Sequence, residues 1–107
     1  MKTIQDLFSI AEHSSYGYKN LEIYAIYDGV VLPICKIWSR GKTDVRLEVD
    51  EDNAVSSLSD ISRFFCENNR ISREEEVIVH FDKHVLLVED IAINFQKGQI
   101  FLILKEY

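Results

Sequence analysis

The sequence predicts an α+β protein: an antiparallel β-sheet meander with two helices packed on it, in the order α-β-β-β-α-β-β-β. Three observations predict it. Two stretches space their apolar residues as a helix does. Shorter stretches alternate apolar and polar residues, or run apolar at strand length. The strand stretches come grouped in hairpins and do not alternate with helices, which favours an antiparallel sheet.

Thr3 can cap a first helix, with Asp6 three residues on as a short variant of the capping box. Ile4, Leu7, Phe8 and Ala11 follow at helical spacing, predicting a helix from about Ile4 to His13. Ser14-Ser15-Tyr16-Gly17, a run of turn formers, ends it. Leu21–Tyr27 reads as a strand, with Leu21, Ile23, Ala25 and Tyr27 on one face and Glu22, Tyr24 and Ile26 on the other. Asp28-Gly29 then marks a hairpin, since both turn residues need positive φ. Pro33 cannot donate to a ladder, so it predicts an edge or a bulge in the returning strand, which continues through Ile34–Trp38. Thr43–Val49 alternates Val45, Leu47 and Val49 against Asp44, Arg46 and Glu48, a strand with one wet face.

Asp50-Glu51-Asp52-Asn53 is an acidic loop whose last residue can cap a second helix, from about Ala54 to Asn68. Val55, Leu58, Ile61, Phe64 and Phe65 form its apolar stripe. Val77–Phe81 and Val85–Val88 flank a turn at Asp82-Lys83, and Ile91–Phe95 pairs with Ile100–Leu104 across Gln96–Gln99. The break between Val85–Val88 and Ile91–Phe95 leaves room for one more strand than the order counts. Ile100–Leu104 is apolar on both faces, which predicts a central strand or one covered by a helix or a partner on both sides. The two halves echo each other: a helix, a hairpin at Asp28-Gly29 or Asp82-Lys83, then a Gly-containing turn. Any two meander units would do so and the turn spacings differ, so no duplication is expected.

A chain of 107 residues is read as one domain over 1–107. Twelve Lys and Arg against eighteen Asp and Glu leave a net charge of −6, which disfavours direct binding to nucleic acid or to anionic membranes. The N-terminus lacks the pattern of a signal peptide, and no run approaches a membrane span of roughly 20 apolar residues. These features predict a cytoplasmic protein with Cys35 and Cys66 as reduced core thiols.

No catalytic kit is visible, and no enzyme is expected. His80 and His84 flank Asp82 across a turn, but spacing indicates no third ligand, so no metal site is expected. A cysteine–histidine pair is disfavoured because both thiols lie in apolar patterns. No GxGxxG or Walker loop exists, which argues against a nucleotide cofactor. Two features remain. Glu48, Asp50, Glu51 and Asp52 cluster at a strand end, with Glu74-Glu75-Glu76 and Glu89-Asp90 as further acidic groups. Tyr16, Tyr18, Tyr24, Tyr27 and Trp38 gather in the first third, and exposed tyrosines rimmed by charge are typical of interfaces.

The function expected is therefore a small acidic protein-binding regulator or inhibitor, of the immunity or anti-defence type. It would occlude a basic partner protein, for instance a nucleic-acid-binding one, through Tyr24, Tyr27, Glu48, Asp50, Glu51 and Asp52. The alternatives are a self-associating module such as a homodimer, and a small ligand-binding domain or enzyme with a pocket between sheet and helices.

Overall fold

The structure, a computed structural model, describes residues 3–12, 21–40, 44–49, 55–68, 70–72, 74–94 and 96–106, with the backbone alone at 10–12, 40 and 44. Its elements are α1 (Ile4–Glu12), β1 (Glu22–Tyr27), β2 (Val30–Arg40), β3 (Asp44–Val49), α2 (Leu58–Glu67), β4 (Val77–Phe81), β5 (His84–Asn94) and β6 (Gln99–Glu106). The element order is the expected one. The sheet is not a meander with two edges: its six strands close into a barrel in chain order.

Closure needs two parallel seams. β1, β2 and β3 pair antiparallel, as do β4, β5 and β6, but β3 joins β4 and β6 joins β1 in parallel. Strands β2 and β5 therefore run against the other four. Two antiparallel meanders look alike in sequence whether their outer strands stay free or meet, which is why closure is not legible from hydropathy. Its physical cause lies in the two long strands. Each carries a bulge, between Ile34 and Lys36 in β2 and between Val88 and Asp90 in β5. A bulge bends a strand and increases its twist, and a sheet bent twice in this way can meet itself. Closure also removes the unpaired edges that would invite aggregation.

The bulges correct one expectation and decide another. Val85–Val88 and Ile91–Phe95 are not separate strands, because Glu89-Asp90 is the bulge inside one strand, β5. Of the two readings of Pro33, an edge or a bulge, the structure shows the bulge, just beyond it between Ile34 and Lys36. The β1–β2 ladder ends at Tyr24 opposite Pro33, which has no N–H to give. Ser56 then fills the gap, donating its N–H to the Ile34 carbonyl at 2.6 Å and accepting from the Ile23 N–H at 3.0 Å.

Both helices start with a capping box. The Thr3 N–H donates to Asp6 Oδ2 at 2.7 Å, and the Asp6 N–H to Thr3 Oγ1 at 3.2 Å. Ser57 and Asp60 repeat this at 2.8 and 3.4 Å. Helix α2 thus begins at Leu58, later than expected, because Ser57 and not Asn53 has an acid three residues on. Ile4, Leu7 and Phe8 of α1 and Leu58, Ile61 and Phe65 of α2 join the inward residues of the strands in one buried cluster. Both cysteines are free, but Cys66 is exposed, not a core residue, since it lies off the α2 stripe; Cys35 is half-buried.

The two halves follow one structural plan, more fully than the echo in the sequence suggested. Thr3 and Ser57, Asp6 and Asp60, Glu22 and Glu76, Asp28 and Asp82, and Ile34 and Val88 are separated by one interval, 57 − 3 = 54 positions. They are respectively the helix caps, the capping acids, the residues that bridge to the other half's cap, the positive-φ turn residues and the bulge positions. The halves interlock: the cap of α1 bridges to the other half (Thr3 with Glu76), and the cap of α2 does the same (Ser57 with Glu22).

Candidate docking face on the barrel exterior

The parallel seam between β1 and β6 builds the first outer face. Ile23, Ala25, Ile100 and Leu102 point inward and are buried, so Tyr24, Ile26, Phe101 and Ile103 point outward by the two-residue period. Pairing extends them into two rows across four strands. One row is Pro33, Tyr24, Phe101 and Ala92; the other is Val31, Ile26, Ile103 and Asp90. Seven of these eight positions carry apolar or aromatic side chains. Val31, at 52% exposure, and Ala92 lie open at the two sides, and the middle of the face is half-buried.

The Tyr24 and Phe101 rings lie 5.9 Å apart, tilted by 30°. The Tyr24 hydroxyl donates to Glu22 Oε1 at 3.3 Å. Burial, and then the negative charge of Glu22, push the Tyr24 phenol above its ordinary pKa, so it stays a protonated donor. Around the face stand the carboxylates of Glu22, Asp28, Glu89 and Asp90 against the ammonium groups of Lys97 and Lys105.

The other parallel seam, between β3 and β4, builds the equivalent face, with rows Trp38, Arg46, Ile78, Leu87 and Lys36, Glu48, His80, Val85. Two of its polar groups bind each other. Arg46 Nη1 lies 3.0 Å from His80 Nε2. Because a guanidinium only donates, Nε2 is the acceptor in this contact. The Trp38 ring packs 5.5 Å from the His80 ring.

The residues expected to bind a partner divide among these places. Tyr24 is at the centre of the first face. Tyr27 points to the other side of β1 and packs partly on the core. Its hydroxyl donates to Glu106 Oε1 at 2.8 Å, and this bond raises the phenol pKa. Glu48 lies on the second face between Lys36 and His80, with β2 separating it from Tyr24. Asp50, Glu51 and Asp52 lie outside the described residues. Sequence reasoning did not single out Ile26, Phe101, Ile103 and Val31. The signal for two of them was present, since Ile100–Leu104 is apolar on both faces and a barrel buries only one.

The other constellations do not converge. His80 sits with Arg46 and Trp38, whereas His84 lies beside Tyr27, with ring centres 6.2 Å apart. The Cys35 thiol donates to the Glu48 carbonyl at 3.5 Å. Among the described residues, no three His, Cys, Asp or Glu side chains are grouped as metal ligands. No helix among them is long and apolar enough to cross a membrane. The chain matches no family model, no curated protein and no solved structure.

Proposed function

We propose that this chain is a small protein-binding regulator, of the immunity or anti-defence type, that covers a basic surface of a partner protein and performs no chemistry of its own. The observation that carries the reading is the outer face on β1 and β6, where seven adjacent apolar or aromatic positions meet solvent inside an acidic surround. An apolar centre with aromatic anchors and a charged rim is the anatomy of a protein interface. The overall charge of −6 favours a basic partner and speeds its approach. Self-association through this face is disfavoured, because it would bring two acidic surrounds together.

The test is capture of partners from the native host by the tagged chain and by Ile103→Asp, with sedimentation of the free chain alongside. The expected result is a stoichiometric basic partner, lost with Ile103→Asp and weakened by salt, and a monomeric free chain. A partner held equally well by the variant, or a stable dimer of the chain alone, overturns the proposal.

A further inference from the structure

The face on β1 and β6 has a geometry that selects the form of its partner. We infer that it receives a basic amphipathic helix of the partner, laid along the two rows and across the strands; the inference rests on the docking role proposed for this face. Three observations lead there.

The barrel is closed, and in the middle of the face β1 and β6 are each hydrogen-bonded on both sides, β1 to β2 and β6, and β6 to β1 and β5. At Tyr24, Ile26, Phe101 and Ile103 an extended segment therefore cannot add as an extra strand, and side chains alone must hold the partner there.

The dimensions fit a helix. Four strands span three spacings of about 4.8 Å, or roughly 14 Å, and positions two apart along a strand lie roughly 7 Å apart. A helix places side chains i, i+4 and i+7 on one face over roughly 10 Å, and its body is about 10 Å across. Three such anchors cover Tyr24, Phe101 and the open side at Ala92 in one row, with Ile26 and Ile103 beneath the helix axis. The outside of a barrel is also where helices pack in the β/α barrels. The chain's own two helices put their apolar sides into the core, and Val31 and Ala92 remain exposed.

The charges select the helix. Glu22, Asp28 and Glu89 border the rows, Asp90 stands at the end of one, and together they outnumber Lys97 and Lys105. A helix with Lys or Arg flanking its apolar stripe meets opposite charge there, and an acidic one meets like charge.

The test uses the full chain, isotope-labelled for amide NMR. The probe is a synthetic peptide with Leu at i, i+4 and i+7 and Lys or Arg elsewhere; the control is a scrambled peptide of the same composition. The expected result is amide shifts confined to residues 22–26, 31–32, 90–92 and 99–103, with the patterned peptide binding at least about tenfold more tightly than the scrambled one. Ala92→Arg, a change at an exposed position that leaves the core untouched, should weaken it at least about tenfold. Val85→Arg, on the equivalent outer face, should leave binding unchanged. Equal binding of the scrambled peptide, or shifts centred on Arg46 and His80, overturns the inference. A native partner that is lost with Ile103→Asp but docks through a loop or a sheet overturns the helix while leaving the docking role intact. A partner indifferent to Ile103→Asp removes the docking role itself.

Discussion

The two outer faces of this barrel occupy equivalent places in its two halves and have opposite chemistry. Tyr24 corresponds to Ile78, Phe101 to Arg46, Ile26 to His80, Ile103 to Glu48 and Ala92 to Trp38, by the registers at the two parallel seams. One backbone therefore supports an open apolar surface on one side. On the other it supports a group in which Arg46, His80 and Trp38 engage each other. A polar group that is already bonded gains little from a partner, whereas half-exposed apolar area gains from being covered. The barrel is thus a scaffold whose repeat fixes the positions, while the side chains at its seams decide which side is open and apolar.

The greatest loss should come from changes to the scaffold. Ile23 and Val77 are equivalent inward residues, fully or nearly fully buried. Ile23→Ala should cost about 2–5 kcal/mol and Val77→Ala somewhat less, having fewer methylenes to lose. Urea unfolding would measure both, and a loss at one position only would break the equivalence of the halves. Recognition comes next. Ile103→Asp should lower affinity for the partner by tenfold or more, about 1.4 kcal/mol, and leave the unfolding midpoint nearly unchanged. The contrasting change, Arg46→Met, should cost about 1 kcal/mol of stability and nothing in binding, because it removes the donor to His80 without touching the first face. If Arg46→Met instead abolishes partner binding, the two faces have been assigned the wrong way round.

A similar cost, about 1 kcal/mol, is expected from removing either capping acid, by Asp6→Ala or Asp60→Ala. Thermal melts should show the two losses to be close, since the hydrogen-bond geometry is nearly the same at both caps. The response to pH should be slighter still. The bond to Glu106 raises the Tyr27 phenol pKa in the folded chain. The stability it confers is present below the ordinary tyrosine value, about 10, and is lost as pH rises through the raised value. Tyr27→Phe should therefore flatten the alkaline loss of stability between unfolding curves recorded below and above that range. An unchanged loss would show that the bond to Glu106 does not contribute.

Much of the secondary structure was legible because it follows local rules. The capping pair Thr3 and Asp6, the Asp28-Gly29 hairpin and the alternation in Asp44–Val49 each act within a few residues. Closure of the barrel was not legible, because it depends on pairings such as Ile23 with Ile100, far apart in the chain. The bulge at Glu89-Asp90 misled for a related reason: two exposed acids in a row read as a loop, and only pairing with β6 shows that the strand continues. The repeat was hidden because sterics and hydropathy preserve a position's class and not its residue. Gly29 and Lys83 take equivalent places in the two hairpins, and Ile34 and Val88 both mark bulges. Of the candidate site, Tyr24 was legible as an outward aromatic. Its neighbour Phe101 belongs to a strand that only the closed topology brings alongside.

The seam between β1 and β6 also sets a timetable. Glu22–Ile26 cannot find their partners on β6 until Gln99–Ile103 exist, so a chain leaving the ribosome carries β1 with one side unpaired until β6 has been made. Contacts this distant in sequence are slow to form. During that interval Tyr24 and Ile26 belong to an open strand edge, and the half-made protein is at its most prone to pair with its neighbours.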